Sequence, residues 1–169
     1  MDFGFLTRRM ADNAQAIQSF VKNVAGGQAR WRPGPDDWSI LEVLNHLYDE
    51  EVEDFRAHLD LILHHPDQPW PSIDPEGWVT ARRYNERDLT QSVDDFLCAR
   101  EASLTWLRGL AAPDWQAVYR APFAEITAGD MMAAWVAHDL LHMRQLVELQ
   151  WAYMNMRVEP YRVRYAGVW

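Results

Sequence analysis

The chain has 169 residues, of which 49% are hydrophobic, enough to build one domain with a real core and too apolar for a disordered chain. Acidic residues outnumber basic ones by 25 to 16, for a formal net charge of −9, and no Lys/Arg-rich cluster follows a phosphate backbone, so nucleic acid is excluded as an expected partner. No apolar run approaches the roughly 20 residues a membrane helix requires, and the opening MDFGFLTRRMADNAQ lacks an apolar signal segment, so a cytoplasmic chain without a membrane partner is expected.

Four long helices are predicted. In the first, over residues 3–24, Phe3, Leu6, Met10, Ile17, Val21 and Val24 recur at spacings of three and four. Gly26 and Gly27 end it, and ARWRPGPDDW reads as a loop, with Pro33, Gly34 and Pro35 against regular structure. Ser39 and Glu42 form a capping box that opens the second helix, over residues 40–63, with Trp38 and Val43 as its hydrophobic staple.

Between His64 and Leu89 lie Pro66, Pro69, Pro71 and Pro75, which predict a long crossover with a short helix near residues 78–85. About 26 residues of connection can retrace a helix of about 36 Å, so the second and third helices can run parallel. The third helix covers residues 92–110, its stripe of Val93, Phe96, Leu97, Leu104 and Leu107 interrupted by Arg100. Within it Cys98, the single cysteine, reads as a small buried hydrophobe. The polar APDWQAVYRAPFAE segment follows. Thr127 and Asp130 then cap the fourth helix, which Ile126 and Met131 can staple and which extends to about residue 153. The Tyr/Arg-rich tail RVEPYRVRYAGVW suits packing over the bundle. With no internal repeat, residues 1–169 form one all-α domain, a four-helix bundle with up-down-down-up topology and a long crossover between helices two and three.

His138 and His142 stand four residues apart in MMAAWVAHDLLHMRQLVEL, about 40° apart on a helical wheel, on the stripe shared by Met131, Trp135, Leu146 and Leu149. Two inward-facing imidazoles need partners for their nitrogens, and a shared metal ion provides one; water or neighbouring side chains provide others. His46, in SILEVLNHLYDEEVEDF, falls nearly opposite the stripe of Ile40, Leu44, Leu47, Phe55 and Ile62, which leaves a surface histidine or one lining a cleft near the metal, and the wheel alone favours the surface. Glu50, one turn beyond His46, can orient that histidine, complete a coordination sphere or serve as a catalytic general base, or belong to a solvated acidic face with Asp49, Glu51, Glu53 and Asp54. Arg100 is a candidate to bind a substrate carboxylate, with a structural acid as its alternative partner, and Trp135 is a candidate pocket wall, with core packing the commoner role for any one of nine tryptophans. His58, His64 and His65 read as surface residues.

The sequence WRPGPDDWSILEVLNHLYDEE, followed much later by WVAHDLLHMRQLVEL, resembles the DinB superfamily of DinB/YfiT-like metal-binding bundles, and the closing YAGVW resembles the tail of one branch. The resemblance spans nearly the whole chain. It implies that His46, His138 and His142 bind one divalent metal ion, that the bundle is up-down-down-up, and that the protein forms a homodimer. It also implies a metal-dependent enzyme acting on a small molecule, either hydrolase-like or a transferase using a low-molecular-weight thiol such as mycothiol or bacillithiol. A non-catalytic metal- or ligand-binding bundle is the alternative. Zinc and nickel suit imidazole ligands, and iron is a further candidate. Three neutral histidines would leave coordination positions open, as catalytic sites do.

Overall fold

A computed structural model describes residues 2–167 of the chain. Helix α1 spans Phe3–Val21 and is capped by the Asp2 carboxylate, which accepts from the Phe5 amide. A short helix α2, Gly26–Arg30, forms within the segment expected to be loop. The second long helix has three parts: α3 at Ile40–Asp49, a π-helical turn at Glu50–Phe55, and α4 at Arg56–His64. Its capping box is present as expected: the Glu42 amide donates to Ser39, while the Glu42 side chain accepts from the Ser39 amide. The crossover carries α5, Pro75–Ala81, and a 3-10 turn at Tyr84–Glu86.

Helix α6 spans Leu89–Gly109, and α7 spans Ala128–Arg157 behind the Thr127–Asp130 capping box. Between them the APDWQAVYRAPFAE segment forms an unexpected hairpin. Strand β1, Val118–Arg120, pairs antiparallel with β2, Glu125–Thr127, with Tyr119 opposite Ile126.

Two apolar clusters give the helix directions. One joins Ala14, Ile17 and Val21 of α1 to Ile40–Leu47 positions of α3, Phe96 early in α6, and Leu146 and Leu149 late in α7. The other joins Met10 of α1 to Leu59 and Ile62 of α4, Leu104 and Leu107 late in α6, and Met131 and Trp135 early in α7. The first half of α1 therefore lies beside the second halves of α3–α4 and α6 and the first half of α7. This is the up-down-down-up bundle, with α3–α4 and α6 parallel.

Two expectations fail at the surface. Cys98 is exposed, because α6 turns that position away from both clusters. In the tail, Tyr161 and Tyr165 are exposed rather than packed, since polar Arg162 and Arg164 alternate with the rings and leave no continuous apolar face. Val168 and Trp169 lie outside the described residues.

Candidate metal centre

His138 and His142 arise from one face of α7, one turn apart, and His46 faces them from α3. The His142 Nε2 lies 3.1 Å from the His46 Nε2 and 3.1 Å from the His138 Nε2. One ligand nitrogen from each of the three rings lies within 4.8 Å of the others.

The surface position expected for His46 is incorrect. It is 5% exposed, because α3 is enclosed by α6 and α7 on one side and by α2, α5 and the crossover turn on the other. A wheel reports one apolar stripe, whereas α3 is buried on nearly every side, Glu42, Asn45 and Asp49 included.

The residues fit a metal ion. His142 Nδ1 donates to the Gln145 Oε1 at 2.8 Å, which leaves the His142 Nε2 with its lone pair. That single lone pair faces two imidazole nitrogens at hydrogen-bond distance, and it can accept from only one of them. A shared cation removes the conflict, and a tetrahedral ion with nitrogens at about 2.0–2.1 Å sets nitrogen–nitrogen edges of about 3.3–3.4 Å. The rings are also held neutral, as ligands must be. Burial, followed by the neighbouring His142 and His138, pushes His46 down to about 2; burial and then His142 push His138 down to about 4. Burial also lowers His142, against the opposing hydrogen bond to Gln145.

Aromatic rings enclose the cluster. Trp38 lies edge-on to His46, 4.9 Å between centroids, and nearly parallel to His142 at 6.5 Å. Phe55 lies 5.0 Å from His138. The sequence placed Trp38 only as a staple, and Gln145 escaped notice although its spacing of three from His142 puts it on the same face.

Glu50 is buried, not part of a solvated face, as are Asp49 and Glu51. The crossover covers this acidic turn: Arg82 reaches Asp49 at 2.7 Å, and the Tyr84 hydroxyl donates to the same carboxylate. Burial, followed by the hydrogen bond and charge of Asp54, pushes Glu50 up to about 9. His58 is likewise buried rather than superficial. Its Nδ1 meets Asp54 at 2.6 Å, its Nε2 meets the Pro71 carbonyl at 3.1 Å, and its ring stacks on Trp70. His64 and His65 are exposed beside Asp60, as expected.

Arg100 and Trp135 take the structural roles, pairing with buried acids and packing in the core, that stood as alternatives to substrate binding. Arg100 is 2% exposed; its guanidinium donates twice to Asp139 at 2.8 Å, to Glu51 at 2.9 Å and to the Met10 carbonyl at 3.0 Å. The Trp135 indole donates to Glu51 at 2.9 Å, and Asn13 donates to Asp139 at 3.1 Å. This brace ties α1, the π-helical turn, α6 and α7 together beside the histidines, and each donor is already engaged.

A model of the DinB superfamily matches residues 9–146. No curated protein matches the chain significantly. Among solved structures, YfiT from Bacillus subtilis, described as "a probable metal-dependent hydrolase with an unusual four-helix bundle topology", aligns with a TM-score of 0.77 at 16% identity. The alignment covers 87% of this chain and 85% of that one, and at this identity it shows the shared fold. Matched over most of its length, the chain belongs to the DinB superfamily.

Proposed function

We propose that His46, His138 and His142 hold one divalent metal ion and that the protein is a metal-dependent enzyme acting on a small molecule, hydrolase-like or transferring a low-molecular-weight thiol. The convergence of three neutral imidazoles, two of their Nε2 contacts at 3.1 Å, carries this reading. Zinc and nickel are the ions best matched to three imidazoles. A divalent ion at such a site lowers the pKa of a coordinated water or thiol toward neutrality.

The chain's own residues supply orientation and shielding. Gln145 fixes the tautomer of His142, and Trp38 and Phe55 limit water around the rings. The Glu50 carboxyl lies on the Nδ1 side of His46, where it can orient that ring through its second nitrogen. Of the roles open to Glu50, orienting His46 is the one this reading takes, which makes it a positioning residue. Turnover of ester, amide and thiol–electrophile substrates by zinc- or nickel-loaded protein, lost in His138→Ala, tests the proposal; equal rates in wild type and variant would overturn it.

A homodimer belongs to the same proposal. Along α7, Ala133, Ala134, Ala137, Leu140 and Leu141 are exposed, and both leucines are at least 50% accessible. An antiparallel second copy of α7 centred on Ala137 sets Ala133 against Leu141, Ala134 against Leu140, and Asp130 against Arg144. Small residues meet large ones and opposite charges meet, as a two-fold interface requires.

A further inference from the structure

A cavity of about 240 Å3 lies beside the metal centre, between the loop preceding α3 and the second half of α7. Asp37 and Trp38 line it from the loop, and Gln145, Glu148, Leu149 and Ala152 line it from α7. Two of these residues also touch the histidines: Gln145 accepts from the His142 Nδ1, and Trp38 lies against both His142 and His46. A ligand in this cavity is separated from His142 by one layer of side chains. A larger groove of about 740 Å3 runs between residues 66–69 and the β1–β2 hairpin, and none of the three site histidines lines it.

The lining of the smaller cavity has a definite charge. Asp37 and Glu148 contribute carboxylates, and no Lys, Arg or His lines the space. Asp37 is exposed, and Glu148 is partly offset by Arg144 at 3.4 Å on the preceding turn. An anion entering here meets two like charges on a chain of net charge −9, whereas a cation meets two counter-ions and an indole. Leu149, Ala152 and the Trp38 ring supply apolar wall for a hydrocarbon body. The volume lies below the roughly 300–1,000 Å3 of drug-sized pockets, which limits the occupant to a short chain or single ring.

We propose that this cavity binds a compact ammonium-bearing small molecule as a ligand beside the metal centre, with Asp37 and Glu148 as counter-ions and Trp38 as the wall toward His142. Its place beside a metal centre rests on the proposed reading of the histidines. The ligand class is a compact amine with an apolar body.

The test is calorimetric binding of 2-phenylethylamine, 2-phenylethanol and phenylacetate to metal-free and zinc-loaded protein, with bound zinc measured on the same samples. The amine should bind at least tenfold more tightly than the alcohol and the carboxylate, and 0.5 M NaCl should weaken that preference. The Asp37→Asn/Glu148→Gln variant, altered only at accessible side chains, should keep its circular dichroism and bind amine and alcohol alike. Equal binding of the three probes, tighter binding of the carboxylate, no binding of any probe, or an unchanged preference in the double variant would each overturn the cavity assignment. One zinc per chain without amine preference removes this inference alone. Amine preference in a chain that binds no zinc supports the cavity's cation selectivity and removes the metal reading alone.

Discussion

Glu50 Oε1 lies 3.9 Å from His46 Nδ1, across the imidazole from the Nε2 that faces His142. Both atoms are buried and have no hydrogen-bond partner among the described residues. A carboxylate behind a metal-bound histidine raises the basicity of the ligand and fixes its ring, and losing it typically costs 10–100-fold in metal affinity. Glu50→Gln replaces a carboxyl that burial and Asp54 push up to about 9, so it mimics the protonated form present in the metal-free protein at neutral pH. We expect zinc affinity to fall about 10–100-fold, with the thermal midpoint of the metal-free protein nearly unchanged. Competition titration with a chelator measures the first quantity and calorimetry the second; undiminished affinity would remove the orienting role.

Acid should destabilise the metal-free protein through its histidines. Burial lowers His46 from 6.5 to about 2 and His138 from 6.5 to about 4, so below 6.5 the unfolded chain binds protons that the folded chain refuses. Each histidine therefore removes up to about 1.4 kcal/mol per pH unit as pH drops from about 6.5 toward 4, while Glu50, held up to about 9 and so protonated in the fold, opposes one of them down to about 4.5. The loss through His138 levels off near 4, while that through His46 continues toward 2. Bound metal opposes the loss until protons displace it. Urea midpoints of Glu50→Gln, which removes the opposing carboxyl, at pH 7.5, 6.0 and 5.0, with and without zinc, check this; a flat profile in the metal-free variant would contradict the neutral cluster.

Breaking the buried brace should be costly. Arg100→Ala leaves Asp139 and Glu51 without their shared cation inside the bundle, and one-sided removal of a buried ion pair costs about 3–5 kcal/mol. Arg100→Lys should recover little, because one ammonium cannot reproduce the two-pronged bond to Asp139 together with bonds to Glu51 and the Met10 carbonyl. Denaturant unfolding reads both variants. Wild-type stability in Arg100→Ala would show that the brace contributes nothing net.

If α7 self-associates as proposed, Leu140→Glu/Leu141→Glu should give a monomer with an intact metal site, because both side chains are exposed and neither is a ligand. Arg144→Asp should weaken the dimer by setting like charges against Asp130. Sedimentation velocity distinguishes these states. A monomeric wild type at micromolar concentration, or a dimer unaffected by the leucine changes, would remove the interface.

Helix positions, both capping boxes and the inward-facing His138–His142 pair were legible in the sequence because each depends on residues within one or two turns. The parallel course of α3–α4 and α6 also followed from local information, the length of the crossover. His46, Glu51 and His58 were misplaced for one shared reason. Their burial depends on distant chain segments: α7 over His46, Arg100 and Trp135 on Glu51, and Trp70 and Pro71 over His58. A polar residue buried by a remote partner leaves no apolar periodicity of its own. Arg100 carried the right signal, a charge on an apolar stripe, but its partner among 25 acidic residues was beyond the reach of spacing.

The most direct test of the account is elemental analysis of purified chain after reconstitution with zinc or nickel and removal of free ion. The account predicts one divalent ion per wild-type chain and loss of stoichiometric metal in His46→Ala, His138→Ala and His142→Ala, each still helical by circular dichroism. A wild type without stoichiometric metal, or a His46→Ala chain that retains it at full affinity, would contradict the three-histidine centre.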